Sequence, residues 1–239
     1  MENLPKTLEY FLSNPNAATI LLFATIIVAM LASANVRLTF SRYDKVRSAR
    51  GVPAHVIARQ ILDSNGLYDV IVEPTRGKLT DHYDPRRNVV ALSESTYNSI
   101  SVSAIGIAAH ECGHAIQHAT AYTPIKIRTA IFPAVSIANR TWIFLVLIGF
   151  FLPLVPGTIM INVGIAAFSL AAIFQIVTLP VEFNASRRAM NTIESQGILD
   201  RSEQKGARSI LNAAAMTYVA ALLVSLAQLI RILAIARRR

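Results

Sequence analysis

The sequence predicts a mainly α-helical membrane protein, with about four transmembrane helices joined to a small water-soluble α+β domain. Three observations lead there. Of the 239 residues, 53% are apolar and only 15% are charged, whereas soluble domains carry nearer a quarter charged residues. The deficit is local, because long stretches hold almost no charge while others are dense in Arg. The charge-free stretches also approach the length, about 20 residues, that a helix needs to cross a hydrocarbon core.

Taken in order, the first apolar run is AATILLFATIIVAMLASANV, Ala17 to Val36. It is longer than a signal-peptide core, and two acids and one lysine precede it, so residues 1–36 are expected to form an anchor. Residues 37–130 read as water-soluble. VPAHVIARQILDSNG spaces Val56, Ile57, Ile61 and Leu62 as in a helix, with Asn65-Gly66 as its stop. LYDVIVEP reads as a strand, Asp84-Pro85 as a turn, and Asn88 to Leu92 as a second strand. Ser93 or Ser95 is expected to cap the next helix, SVSAIGIAAHECGHAIQHA.

Residues 131–181 read as a transmembrane hairpin, with Pro153, Pro156 and Gly157 at its turn. Trp142 to Leu154 is short for a span, so the first arm must begin earlier and tolerate Asn139 and Arg140. Residues 182–210 are polar, and residues 211–239 form a last apolar helix with a basic tail, Arg237 to Arg239.

The net charge of +9 is compatible with nucleic-acid binding. No aromatic-interleaved basic stretch or recognisable binding module accompanies it, and Arg-rich flanks on apolar runs are the signature of membrane orientation. With four spans, the side holding the soluble domain carries 18 of the 23 Lys and Arg residues and the other side five. The chain is therefore expected to be a multi-pass protein of the cell membrane with a cytoplasmic soluble domain, contacting lipid and not nucleic acid. The basic C-terminus argues the other way, and an interfacial last helix is the alternative there. The single cysteine, Cys112, excludes an intramolecular disulfide and fits a reducing compartment.

His110-Glu111-Cys112-Gly113-His114 carries the chemistry. On a helix, residues four apart share a face, so both imidazoles can reach one metal ion. Glu111 lies about 100° round from His110, beside the ion rather than on it. From there it can serve as general base toward a metal-activated water. Small residues along the helix (Ala104, Gly106, Ala108, Ala109, Gly113, Ala115) would let other elements approach closely.

A catalytic zinc site needs a third protein ligand and an open position. The histidine six residues past His114 that one class would supply is absent, because Thr120 stands there. His118 is one candidate, although three histidines on successive turns diverge from a single ion. The better candidate is Glu182, just past the hairpin, where a carboxylate is costly unless it is paired or ligating. Two crossings return Glu182 to the side of His110. An ion pair with Arg187 or Arg188 is the alternative, and Ser186, one turn on, is placed to hydrogen-bond behind a ligand. In the segment Asp81 to Asp84, a strand edge with His82 or Tyr83 facing substrate competes with a plain turn. Cys112 points away from the histidines and reads as packing.

The blocks HECGHAIQH, LTDHYDPRRNVVALSES and TLPVEFNASRRA resemble, in order, the bacterial YugP-like neutral zinc metallopeptidases. The likeness runs from about Val52 to the last helix. More remotely, E-F-N-A-S is similar to the E-x-x-A-D motif of HtpX-like membrane gluzincins, with Ser186 in place of Asp. The resemblance implies a zincin-like soluble domain, Zn2+ on His110, His114 and Glu182, and Glu111 as catalytic base. The expected function is a membrane-embedded endopeptidase acting on peptides or membrane-protein segments. The alternative is a non-proteolytic metal-binding membrane scaffold or chaperone-like protein. A purely structural site would fill its fourth position and need no base, so Glu111 favours the enzyme.

Overall fold

A computed structural model describes residues 5–151 and 157–237. It is mostly helical. The elements run α1 (Lys6–Ser13), α2 (Pro15–Asp44), α3 (Ala54–Ser64), β1 (Ile71–Thr75), β2 (His82–Asp84), β3 (Val89–Ser93), α4 (Val102–Ala119), α5 (Thr123–Phe151), α6 (Gly157–Ser195) and α7 (Arg201–Ala236). Among the described residues, helices α2, α5, α6 and α7 are long and apolar enough to cross a membrane. Pro153 and Pro156, expected at the hairpin turn, and the tail residues Arg238 and Arg239 lie outside the described residues.

The chain divides into two compact units, whose boundaries fall within helices. The first comprises Met1–Leu31, Ile127–Leu179 and Thr217–Arg239. Here the arms of the expected hairpin pack through Trp142 on Phe168 (ring centroids 4.8 Å apart) and Phe132 near Phe174 (6.0 Å). Gly164 admits the Val146 side chain and the Trp142 carbonyl, leaving no room for a Cβ. As the sequence required, α5 begins well before Trp142, and Asn139 and Arg140 lie exposed within it.

The second unit comprises Ala32–Lys126 and Pro180–Met216. Its core joins Ile57, Ile61 and Leu62 of α3 to Ile105, Ala108 and Cys112 of α4, Ile193 of α6 and Ile210 of α7. Against them lies a three-stranded sheet ordered β1-β3-β2, with β1 parallel and β2 antiparallel to the central β3. All five residues of β3 are buried, as expected for a strand covered on both faces. Successive side chains alternate between faces. Val90 and Leu92 thus join the core, with Tyr83 and Val72 packed beside them.

Two features differ from the sequence reading, the cap of α4 and the end of α6. The cap of α4 is neither Ser93 nor Ser95 but Ser101, whose Oγ accepts from the Ala104 amide at 3.2 Å. Residues 94–98 form turns instead, and Ser93 is engaged by Asp81 through its amide (2.8 Å) and hydroxyl (2.9 Å). The polar stretch after residue 182 is also largely helical. Pro180 removes one backbone donor inside α6 without ending the helix, which runs on until Gly197 adopts φ +57°. There the Ile198 amide closes onto the Ile193 carbonyl (3.0 Å), a left-handed helix stop. Asp200 then starts α7, accepting from the amides of Ser202 and Glu203, while Glu203 returns to the Asp200 amide at 2.9 Å. This reciprocal pair is a capping box, and the same Glu203 carboxylate holds the Ala49 amide at 2.6 Å.

Candidate metal centre

The site is built where α4 meets α6 within the second unit. Gly113 makes the approach possible. A Cβ there would lie 2.7 Å from the Ala185 carbonyl oxygen and 3.3 Å from its Cα, so only glycine permits this crossing. Gly106, two turns earlier, meets Ala207 and Ile210 of α7 at an ordinary 3.4 Å.

The crossing sets Glu182 against both histidines. Its Oε2 lies 3.3 Å from His110 Nε2 and 3.5 Å from His114 Nε2. Glu182 is 2% exposed. One ligand atom from each of the three residues lies within 4.8 Å of the others, a group that could hold a metal ion. The spacing suits zinc. Bonds of about 2.0–2.1 Å in a tetrahedron separate neighbouring ligand atoms by about 3.3–3.4 Å, close to both measured separations. Two nitrogens and one carboxylate oxygen are also a donor set typical of catalytic zinc.

Contacts behind the ligands leave both Nε2 atoms turned toward Glu182. His110 Nδ1 lies 3.2 Å from Ser186 Oγ, and His114 Nδ1 lies 3.0 Å from Gln117 Oε1. Gln117, fully buried, reaches α6 through Nε2, which donates to the Val181 carbonyl (2.8 Å) and to Asn184 Oδ1 (3.0 Å). Arg188 Nε donates to the same Asn184 oxygen at 2.8 Å. Arg188 thus engages Asn184 rather than Glu182. Ser186 takes the place its position predicted. Gln117 and Asn184 were not foreseen, although Gln117 stands three residues past His114 and seven past His110, on the ligand face.

Glu111 is buried beside the group. Burial pushes its carboxyl up to about 7, with Glu182 and Asp81 adding to the rise and His110 and His82 opposing it. The remaining sequence candidates separate. His118 turns its ring onto Tyr83 (5.5 Å) and is not part of the metal-ligating group. Tyr83 donates its hydroxyl to Asn88 Oδ1 (3.0 Å). Asp84 caps the turn through the Arg86 amide (2.9 Å). His82 is exposed and, by strand alternation, lies on the sheet face opposite Tyr83. Cys112 is buried against the Ala58 carbonyl, and burial pushes its thiol up, which fits the packing role.

The fold and this group together define a mostly helical protein with four helices long and apolar enough to cross a membrane and a candidate His-His-Glu metal centre. The chain matches the family described as "Putative neutral zinc metallopeptidase" over residues 18–237 and belongs to that family. It is 48% identical over 212 residues to "Putative membrane protease YugP" of Bacillus subtilis (strain 168), covering 88% of this chain and 92% of that relative. No solved structure matches.

Proposed function

We propose that the chain is a membrane-embedded, zinc-dependent endopeptidase with Glu111 as its general base. The convergence of His110, His114 and Glu182 on one point, with Glu111 buried beside them, carries this reading. The three residues would hold the ion. When bound, zinc lowers the pKa of a coordinated water toward about 7 and polarises the scissile carbonyl. Glu111 then takes the proton from the attacking water and passes it to the leaving amine. A buried carboxyl beside the ion-holding group is placed for both transfers.

The substrate has a natural seat. Strand β2 is an edge of the sheet, and its outer side offers backbone groups to an extended peptide, which would add as another strand. The distribution of Lys and Arg supports a cytoplasmic side for the soluble unit. The family description and the printed name of the relative support a peptidase acting at the membrane.

The competing reading is a metal-binding scaffold without proteolysis. Elemental analysis of detergent-purified protein, with peptidase assays on a peptide library, separates the two. Wild type and Glu111→Gln are expected to hold about one zinc per chain, and Glu182→Ala to hold none. Peptide cleavage by wild type alone would establish the enzyme. Retention of full zinc by Glu182→Ala would remove Glu182 from the ligand set.

A further inference from the structure

The buried amide of Gln117 stands between a candidate metal ligand and the helix carrying another. Its hydrogen bonds leave no freedom of direction. A backbone carbonyl can only accept, so the Val181 carbonyl, 2.8 Å away, requires the NH2 end of Gln117. The second N–H of that amide points to Asn184 Oδ1 at 3.0 Å. Asn184 cannot be reversed, because Arg188 Nε, a pure donor, requires the oxygen there. With both donors committed to α6, Gln117 presents Oε1 to His114 Nδ1 at 3.0 Å. Nδ1 must then carry a proton. In the neutral ring, the remaining lone pair is on Nε2, the atom facing Glu182.

We propose that Gln117 is a positioning residue that fixes the Nδ1–H tautomer of His114 and locks it to the α6 turn bearing Glu182. The link is direct, since Val181 immediately precedes Glu182 in sequence. One side chain therefore sets the state of one ligand and holds the backbone of another. The inference rests on the metal-site reading above, but the tautomer it specifies exists without metal and can be read without it.

Outer contacts of this kind change metal affinity by about 10- to 100-fold when removed. The test uses full-length, metal-free protein in detergent micelles with 15N-labelled histidine, His114 being assigned by its missing signals in His114→Gln. At a pH where the ring is neutral, wild type should show His114 protonated on Nδ1. Gln117→Met, similar in volume but without the acceptor, should shift His114 toward the Nε2–H form that free imidazole side chains favour. The same variant should bind Zn2+ about 10- to 100-fold more weakly in chelator competition. Gln117→Glu, as the buried protonated acid, can still donate to the Val181 carbonyl while its other oxygen accepts from His114. It should keep the Nδ1–H signature, which separates the role from general packing even if Gln117→Met folds poorly. A wild-type tautomer in folded Gln117→Met, or its loss in Gln117→Glu, would overturn the proposal. Failure of wild type to bind zinc would sink the metal reading instead, leaving the tautomer comparison to judge Gln117 alone.

Discussion

Gly113→Ala puts one methyl group at the crossing of α4 and α6. The new Cβ would sit 2.7 Å from the Ala185 carbonyl oxygen, whereas ordinary contact begins near 3.4 Å. The obstacle is backbone, so α6 must move by about 0.7 Å or α4 must deform. Two energies oppose each other. Alanine in a helix interior is favoured over glycine by about 1 kcal/mol, while overpacking costs about 1–3 kcal/mol. The net loss of stability should therefore be at most about 2 kcal/mol, leaving a folded protein. Metal binding is less forgiving, because ligand distances tolerate only roughly 0.2 Å and the same shift moves Glu182 relative to both histidines. Zinc affinity should fall at least tenfold, about 1.4 kcal/mol. Chelator competition and thermal melting of the detergent-solubilised protein measure the two quantities separately. Gly106→Ala is the internal control. Its Cβ meets Ala207 at 3.4 Å, so stability should hold or rise slightly with zinc affinity unchanged. Unchanged zinc binding in Gly113→Ala, or equal damage from Gly106→Ala, would refute the reasoning.

Three further outcomes follow from the same contacts. Glu111→Gln should keep its zinc while peptide cleavage drops by about 10²- to 10⁴-fold, the usual contribution of a general base; a drop below tenfold would assign the proton transfer elsewhere. Tyr83→Phe should change cleavage by less than tenfold, because its hydroxyl is committed to Asn88. A loss of about 10²- to 10³-fold would instead mark an oxyanion donor. Glu203→Ala strips the acceptor from the Ala49 and Asp200 amides and should destabilise the protein by about 1–3 kcal/mol, visible as a lower melting temperature with zinc affinity preserved. An unchanged melting temperature would show that water replaces the carboxylate there.

Much of the site was legible because its signals are local or topological. His110 and His114 announce themselves by spacing, and reading residues 131–181 as a hairpin was enough to expect Glu182 back on their side. The small residues of α4 foretold close approach, and Gly113 gives that its sharpest form. What escaped depends on partners distant in sequence. Gln117 is one polar residue among several until α6 places Val181 and Asn184 against it, and its position on the ligand face was the one available clue. The start of α4 was read correctly, but its cap was missed because any of several serines could fill that role. Ser101 wins because Ser93 is taken into β3 and bonded by Asp81. The length of α6 was hidden by Pro180, a residue that usually ends helices in water but sits inside this one.

The ligands of the candidate centre are far apart in the order of synthesis. His110 and His114 belong to α4, whereas Glu182 follows only after α5 and most of α6 have been made. A growing chain therefore carries His110 and His114 long before Glu182 can join them. Glu182 comes only with the second arm of the expected hairpin, so assembly of the candidate group waits on completion of most of α6.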